Sequence, residues 1–184
     1  MMGVVDTQST ALPHHGENNM MVSQLSNAEL LQTALLSPEN IIHAQLKKLV
    51  INAIINPLTA CFGCKNGQVF KTHDRQVLYR GLLQEAGAIM RQMLSHSEES
   101  LHETIFSDPA LSALVEEVAE KTANNTSSML QDIQAGRRTE IDYINGYFVS
   151  QGKRLGLPTT HHEAVCNRVK TLEANNSGLP SEIV

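Results

Sequence analysis

The chain is 184 residues long, carries a formal net charge of -5, and is 41% hydrophobic but only 4% aromatic, with no tryptophan. That length suits one domain with at most a fragment of another, and the scattered lysines and arginines form no basic stripe, which excludes nucleic acid as an expected partner. No apolar run approaches the roughly 20 residues of a membrane helix, because Asn52 and Asn56 interrupt the best candidate, so no membrane partner is expected either.

A core built from Leu, Ile, Val, Ala and Met favours helices. The N-terminal stretch holds Asp6 and no arginine before Lys47, which fits neither a secretory signal nor an arginine-rich presequence and makes the cytoplasm the expected location.

Residues 1 to 24 are mostly polar or small, and His14 to Asn19 reads as loop. Ser26 ahead of Ala28, Leu30 and Leu31 can cap a short helix, and Thr33 to Leu36 suits a short strand. Ser37-Pro38-Glu39 then predicts a helix start: a serine cap, a proline in the first turn and an acid at the positive end of the dipole. That helix is expected to pass Asn52 and to kink or end near Asn56, because Pro57 lacks the N–H a helix interior needs. Asp74 is read as the cap of a helix from Arg75 to Leu94, with Leu78, Leu82, Ala86, Ile89 and Met93 as its core stripe.

Ser95 to Ser107 is polar, with room for a short helix. Asp108-Pro109 opens the next, which carries Leu111, Leu114, Val115 and Val118. The capping cluster Asn124 to Ser128 precedes a short helix over Met129 to Ile133 that Gly136 can close. Thr139 can cap a helix with Ile141, Ile144 and Phe148 inward, stopped by Gly156-Leu157-Pro158, and a last helix spans about His161 to Asn175.

Lys48, Asn52 and Asn56 recur every four residues inside an otherwise apolar run, so they drift only about 80° around a helix and form one polar stripe. A buried amine and two carboxamides need partners, and a small polar ligand is one way to supply them. Cys61-Phe62-Gly63-Cys64 is the only close cysteine pair. A zinc site wants about four ligands and a redox pair wants the start of a helix, so the thiols read as reduced and structural, and no metal is expected.

The run Lys48-x-x-x-Asn52-x-x-x-Asn56-Pro57-Leu58-Thr59-Ala60, followed by Asn66-Gly67, by Ser127-Ser128-Met129-Leu130-Gln131-Asp132 and by Arg138-Thr139-Glu140-Ile141-Asp142-Tyr143-Ile144-Asn145-Gly146, resembles the C-terminal domain of ketopantoate reductase (2-dehydropantoate 2-reductase). The resemblance spans roughly Ser37 to Leu157, with its motifs in the family's order. It implies an all-α, 6-phosphogluconate dehydrogenase C-terminal-like helical domain over 37–184, preceded over 1–36 by a remnant of the α/β Rossmann domain.

The implied activity is NADPH-dependent reduction of 2-dehydropantoate to pantoate, on the route to pantothenate and coenzyme A. Lys48 matches the catalytic lysine, Asn52, Asn56, Asn66 and Ser128 match substrate-binding positions, and Glu140 matches an acid facing the cofactor. An ammonium suits reduction of a ketone, since it stabilises negative charge growing on oxygen and can transfer a proton to it. Asp132, Asp142 and Asn145 fit the same pattern but are assigned to packing and capping.

One departure limits the inference. No GxGxxG occurs in these 184 residues, so the resemblance covers the substrate and catalytic half and not the cradle for the NADPH pyrophosphate. The expected partners are therefore 2-dehydropantoate or pantoate, a separate nucleotide-binding domain, and a second copy in a homodimer. The alternative reading is a non-catalytic helical binding or dimerisation module that retains half a site.

Overall fold

The computed structural model describes residues 3–5, 20, 24, 27, 34–36, 38–94 and 104–176. Two compact units divide the chain, Met1–Lys47 and Lys48–Val184, with the boundary inside the first long helix. In the first unit, β1 (Gly3–Val5) pairs in parallel with β2 (Ala34–Leu36), with Val4 opposite Leu35. The strand expected over 33–36 is present. The loop reading of His14 to Asn19 and the short helix after Ser26 lie outside the described residues.

The helices follow as α1 (Pro38–Phe62), α2 (His73–Leu94), α3 (Asp108–Lys121), α4 (Ser128–Gln134), α5 (Ile141–Leu155) and α6 (Thr160–Asn176), with a 3₁₀ turn at Asn66–Gln68 after α1. The domain is all-α, as its composition and motifs predict. Among the described residues, no helix is long and apolar enough to cross a membrane.

Local chemistry sets most of these ends. Ser107 caps α3 by accepting from Ala110 N, with proline in the first turn. Thr139 Oγ1 accepts from Ile141 N at 3.2 Å at the start of α5, and Gly156 closes that helix with φ 68°. The start of α2 differs from expectation. Thr72 holds it, its carbonyl accepting from Gln76 N at 3.0 Å, and Asp74 lies inside the first turn.

The end of α1 also differs. Of the kink or end expected near Asn56, the end does not occur, since α1 continues through Pro57 to Phe62. The carbonyl that Pro57 cannot reach, Ala53 O, accepts instead from Asn145 Nδ2 at 2.8 Å, which removes the cost of a buried unpaired acceptor.

The core of the second unit is aliphatic, with Val50, Ala53, Ile54 and Leu58 of α1, Leu82, Ile89 and Met90 of α2, and Phe148 of α5 all sealed from solvent. Of the stripe predicted for α2, Leu82, Ala86 and Ile89 are buried, while Leu78 and Met93 are half-buried because α2 also turns Leu83 and Met90 inward. A carboxylate enters this core in partnered form. Glu85, 6% exposed, accepts from His161 N at 2.9 Å and His162 N at 3.1 Å, so a carboxylate from α2 meets the positive end of α6. The approach is close: a Cβ on Gly81 would lie 2.3 Å from the His161 ring.

Candidate functional site

The α1 stripe runs from water into the core. Lys48 is exposed, Asn52 one turn on is half-buried, and Asn56 one turn further is 9% exposed. At a rise of 1.5 Å per residue, the lysine and the second asparagine lie roughly 12 Å apart along the axis. Among the described residues Lys48 has no ion-pair partner and neither carboxamide side chain makes a hydrogen bond, so all three polar ends remain available to a ligand. The amine is thus not buried, as the apolar run suggests, because Lys48 precedes the point at which α1 enters the core. Lys47, its neighbour in sequence, is the half-buried one of the pair.

A relay of hydroxyls supports the inner end of the stripe. Thr59 Oγ1 donates to Asn56 O at 2.8 Å, and Ser127 Oγ lies 2.6 Å from Thr59 Oγ1. With the Thr59 proton spent on Asn56, the Ser127 hydroxyl donates to Thr59, and Ser127 Oγ accepts from Leu130 N at 3.1 Å as the cap of α4. Ser127 is buried and fills the capping role, while Ser128 is the exposed first residue of α4.

Asn66 joins the same corner. Its backbone N donates to Asn125 O at 3.1 Å and its Nδ2 to Thr122 Oγ1 at 3.0 Å, while Oδ1 is buried without a partner. Gly67 N donates to Ala123 O at 3.2 Å, and a Cβ there would lie 2.6 Å from Ala123 Cβ. Only glycine allows so near an approach. Asn66 thus bonds directly to the 122–125 segment, and the main chain of Asn56 reaches Ser127, the neighbour of Ser128, through Thr59. Glu140 is exposed at the N-terminal end of α5 with no capping hydrogen bond.

Sequence reasoning passes over a buried group behind the stripe. His162, fully buried and stacked on Phe148 at 4.8 Å between centroids, places Nδ1 3.0 Å from Asn145 Nδ2 and Nε2 3.2 Å from Leu82 O. Burial pushes its pKa down to about 4. Asn145 is readable from the sequence only as a packing residue, and the pairing of positions 85, 145 and 162 leaves no trace in local spacing.

The thiols are not poised for chemistry. Burial raises the pKa of Cys61 and of Cys166 to about 11, and Cys64 is also raised by burial. Among the described residues no group of three or more His, Cys, Asp or Glu is placed to hold a metal.

A dinucleotide cradle puts glycines between a strand and the start of a helix. The described glycines with positive φ, Gly63, Gly136 and Gly156, instead stand at the ends of helices α1, α4 and α5. These residues do not fit the pyrophosphate of a nicotinamide cofactor.

Comparison with known proteins places the architecture. The family profile described as "Ketopantoate reductase PanE/ApbA C terminal" matches residues 40–173. The chain is 36% identical over 161 residues to a 2-dehydropantoate 2-reductase from Shigella flexneri, covering 83% of this chain and 49% of that protein. It is 31% identical over 190 residues to a ketoisovalerate reductase from Beauveria bassiana, covering 82% of this chain and 41% of that protein. A crystal structure of a PanE/ApbA family ketopantoate reductase from Ralstonia eutropha superposes with TM-score 0.72 at 20% identity, covering 95% of this chain and 52% of that one.

The class is thus an all-α C-terminal domain, and the chain spans about half the length of the curated relatives it matches. More specifically, the chain belongs to the ketopantoate reductase family.

Proposed function

We propose that this chain supplies the substrate-binding and proton-donating half of an NADPH-dependent reductase that converts 2-dehydropantoate to pantoate. The observation that carries this reading is the Lys48–Asn52–Asn56 stripe, whose polar ends stay unpartnered while the helix descends into a core where Thr59, Ser127, Glu85 and His162 are all engaged. The Asn56 residue is nine-tenths buried, yet its carboxamide is not among the buried unpartnered groups, so its polar end stays open to a ligand at the point where α1 enters the core.

The hydride would come from a reduced nicotinamide held by a separate nucleotide-binding domain, not by this chain. Lys48 Nζ donates a hydrogen bond to the ketone oxygen and passes its proton there as negative charge develops, yielding the alcohol. Asn52 and Asn56 orient the substrate through their carboxamides, Ser128 offers its exposed hydroxyl, and Asn66 completes the substrate-binding set. Glu140, which matches the family's acid, would face the cofactor side of the site. The domain boundary belongs to the same proposal, with 1–36 as the end of the nucleotide-binding part and 37–184 as the helical domain. So do a cytoplasmic location and assembly as a homodimer.

The test joins the chain to a competent dinucleotide-binding domain and follows NADPH oxidation. The joined protein is expected to turn over 2-dehydropantoate and the separate chain is not, because a cofactor left unpositioned forfeits about 7–11 kcal/mol of proximity. Turnover of 2-ketoisovalerate in preference to 2-dehydropantoate would move the substrate to the second relative's class. Binding without turnover in the joined protein would favour the non-catalytic helical module.

A further inference from the structure

Pro57 stands in the interior of α1 and cannot donate to Ala53 O, the carbonyl one turn before it. Asn145 of α5 supplies the missing donor through Nδ2 at 2.8 Å. The same Nδ2 lies 3.0 Å from His162 Nδ1, and His162 Nε2 lies 3.2 Å from Leu82 O. Carbonyl oxygens only accept, so Nε2 carries the imidazole proton and Nδ1 accepts the second hydrogen of the Asn145 amide. This count fixes the orientation of the carboxamide, since the reverse would set Asn145 Oδ1 against Ala53 O. Asn145, His162 and Ala53 are all fully buried.

The replaced bond spans positions 53 and 57, each immediately after a carboxamide of the stripe. Asn52 precedes the acceptor and Asn56 precedes the proline. With alanine at 57 the helix would close this bond within itself. With proline, the turn that carries both carboxamides is held from outside, by a donor on α5 that is itself braced by α6.

We propose that Asn145 is a positioning residue for substrate recognition, standing in for the backbone donor that Pro57 lacks and thereby fixing where Asn52 and Asn56 present their carboxamides. This rests on the reading of those two asparagines as substrate ligands. Its test keeps the two ideas apart.

The experiment uses the full chain, isotopically labelled, as wild type, Asn145→Ala, Pro57→Ala and the double variant. The Asn52 and Asn56 side-chain amide resonances and the backbone amide exchange of α1 are read first, without ligand. Asn145→Ala is expected to displace both resonances and speed exchange after position 57 by about tenfold, as for loss of a buried hydrogen bond. Pro57→Ala in that background, by restoring a backbone donor to Ala53 O, is expected to return most of both effects. If Asn145→Ala alone does not fold, the double variant decides: Asn52 and Asn56 resonances at their wild-type positions support the proposal, and a double variant that fails to fold or shows them displaced overturns it.

Titration with 2-dehydropantoate is read second. Asn145→Ala should weaken binding about tenfold and the double variant should regain most of it. A purely structural role would lower the melting temperature of Asn145→Ala and of the double variant alike, with no recovery at the two carboxamides. Unchanged Asn52 and Asn56 resonances in Asn145→Ala, or a double variant no better than the single, would overturn the proposal. A wild-type chain whose carboxamides ignore 2-dehydropantoate while the ligand-free rescue still holds would instead count against the substrate assignment.

Discussion

Thr59 and Ser127, 68 positions apart in sequence, meet through their hydroxyls at 2.6 Å in the buried interior. The contact ties the turn that carries Asn56 to the cap of α4, so the floor of the candidate site and the start of the next short helix are one hydrogen-bonded unit.

Thr59→Val keeps the volume and removes the relay. It leaves the Ser127 hydroxyl proton buried without an acceptor and withdraws a donor from Asn56 O. The expected loss is about 1–3 kcal/mol of unfolding free energy, measured by denaturant titration. A variant as stable as the wild type would show that the relay holds nothing.

Glu85 is the acidic counterpart on the other side of the core, accepting from two backbone donors at the start of α6 and from His161 Nδ1 at 2.8 Å. Glu85→Ala strands these donors, and roughly 2–4 kcal/mol of destabilisation is expected from a lost charge-assisted group. Faster amide exchange in the first turn of α6 would accompany it. Uniform exchange across all helices would contradict the assignment of Glu85 to that terminus.

His162 gives a pH dependence whose sign is fixed. Unfolding would let its ring take up a proton near 6.5, whereas the folded ring, neutral by burial, does so only near 4. Stability from this group is therefore full above about 6.5 and falls as pH drops from 6.5 toward 4. The loss is on the order of 3 kcal/mol at 1.36 kcal/mol per pH unit. Replacing the ring in His162→Gln should flatten this limb of the stability curve. Parallel curves for the two proteins would refute the neutral buried imidazole.

Much of the fold is legible in the sequence where capping chemistry is local. Asp108-Pro109, Asn124 to Ser128, Thr139 and Gly156 mark helix ends within a residue or two of those observed, because each cap acts on backbone groups only two or three positions away. Pro57 misleads for the opposite reason. The penalty of an internal proline is local, but its remedy, Asn145, comes from a helix whose donor lies 92 positions from the carbonyl it reaches. The exposure of Lys48 against the partial burial of Lys47 is hidden in the same way, since four-residue spacing defines a stripe without saying where the helix enters the core. For Glu85 and His162 no local pattern exists, and only packing brings them together.

The central claim is that the stripe does chemistry at its exposed end and holds substrate at its buried end. Steady-state kinetics of Lys48→Ala and Lys47→Ala, each in the chain joined to a competent nucleotide-binding domain, test it most directly. Lys48→Ala is expected to lower kcat by about 10²–10⁴ with a far smaller change in KM, because proton donation grows toward the transition state. Lys47→Ala should stay within a few-fold of the wild type. Loss of turnover in Lys47→Ala with Lys48→Ala left active would contradict the account, since the register of the stripe would then be wrong.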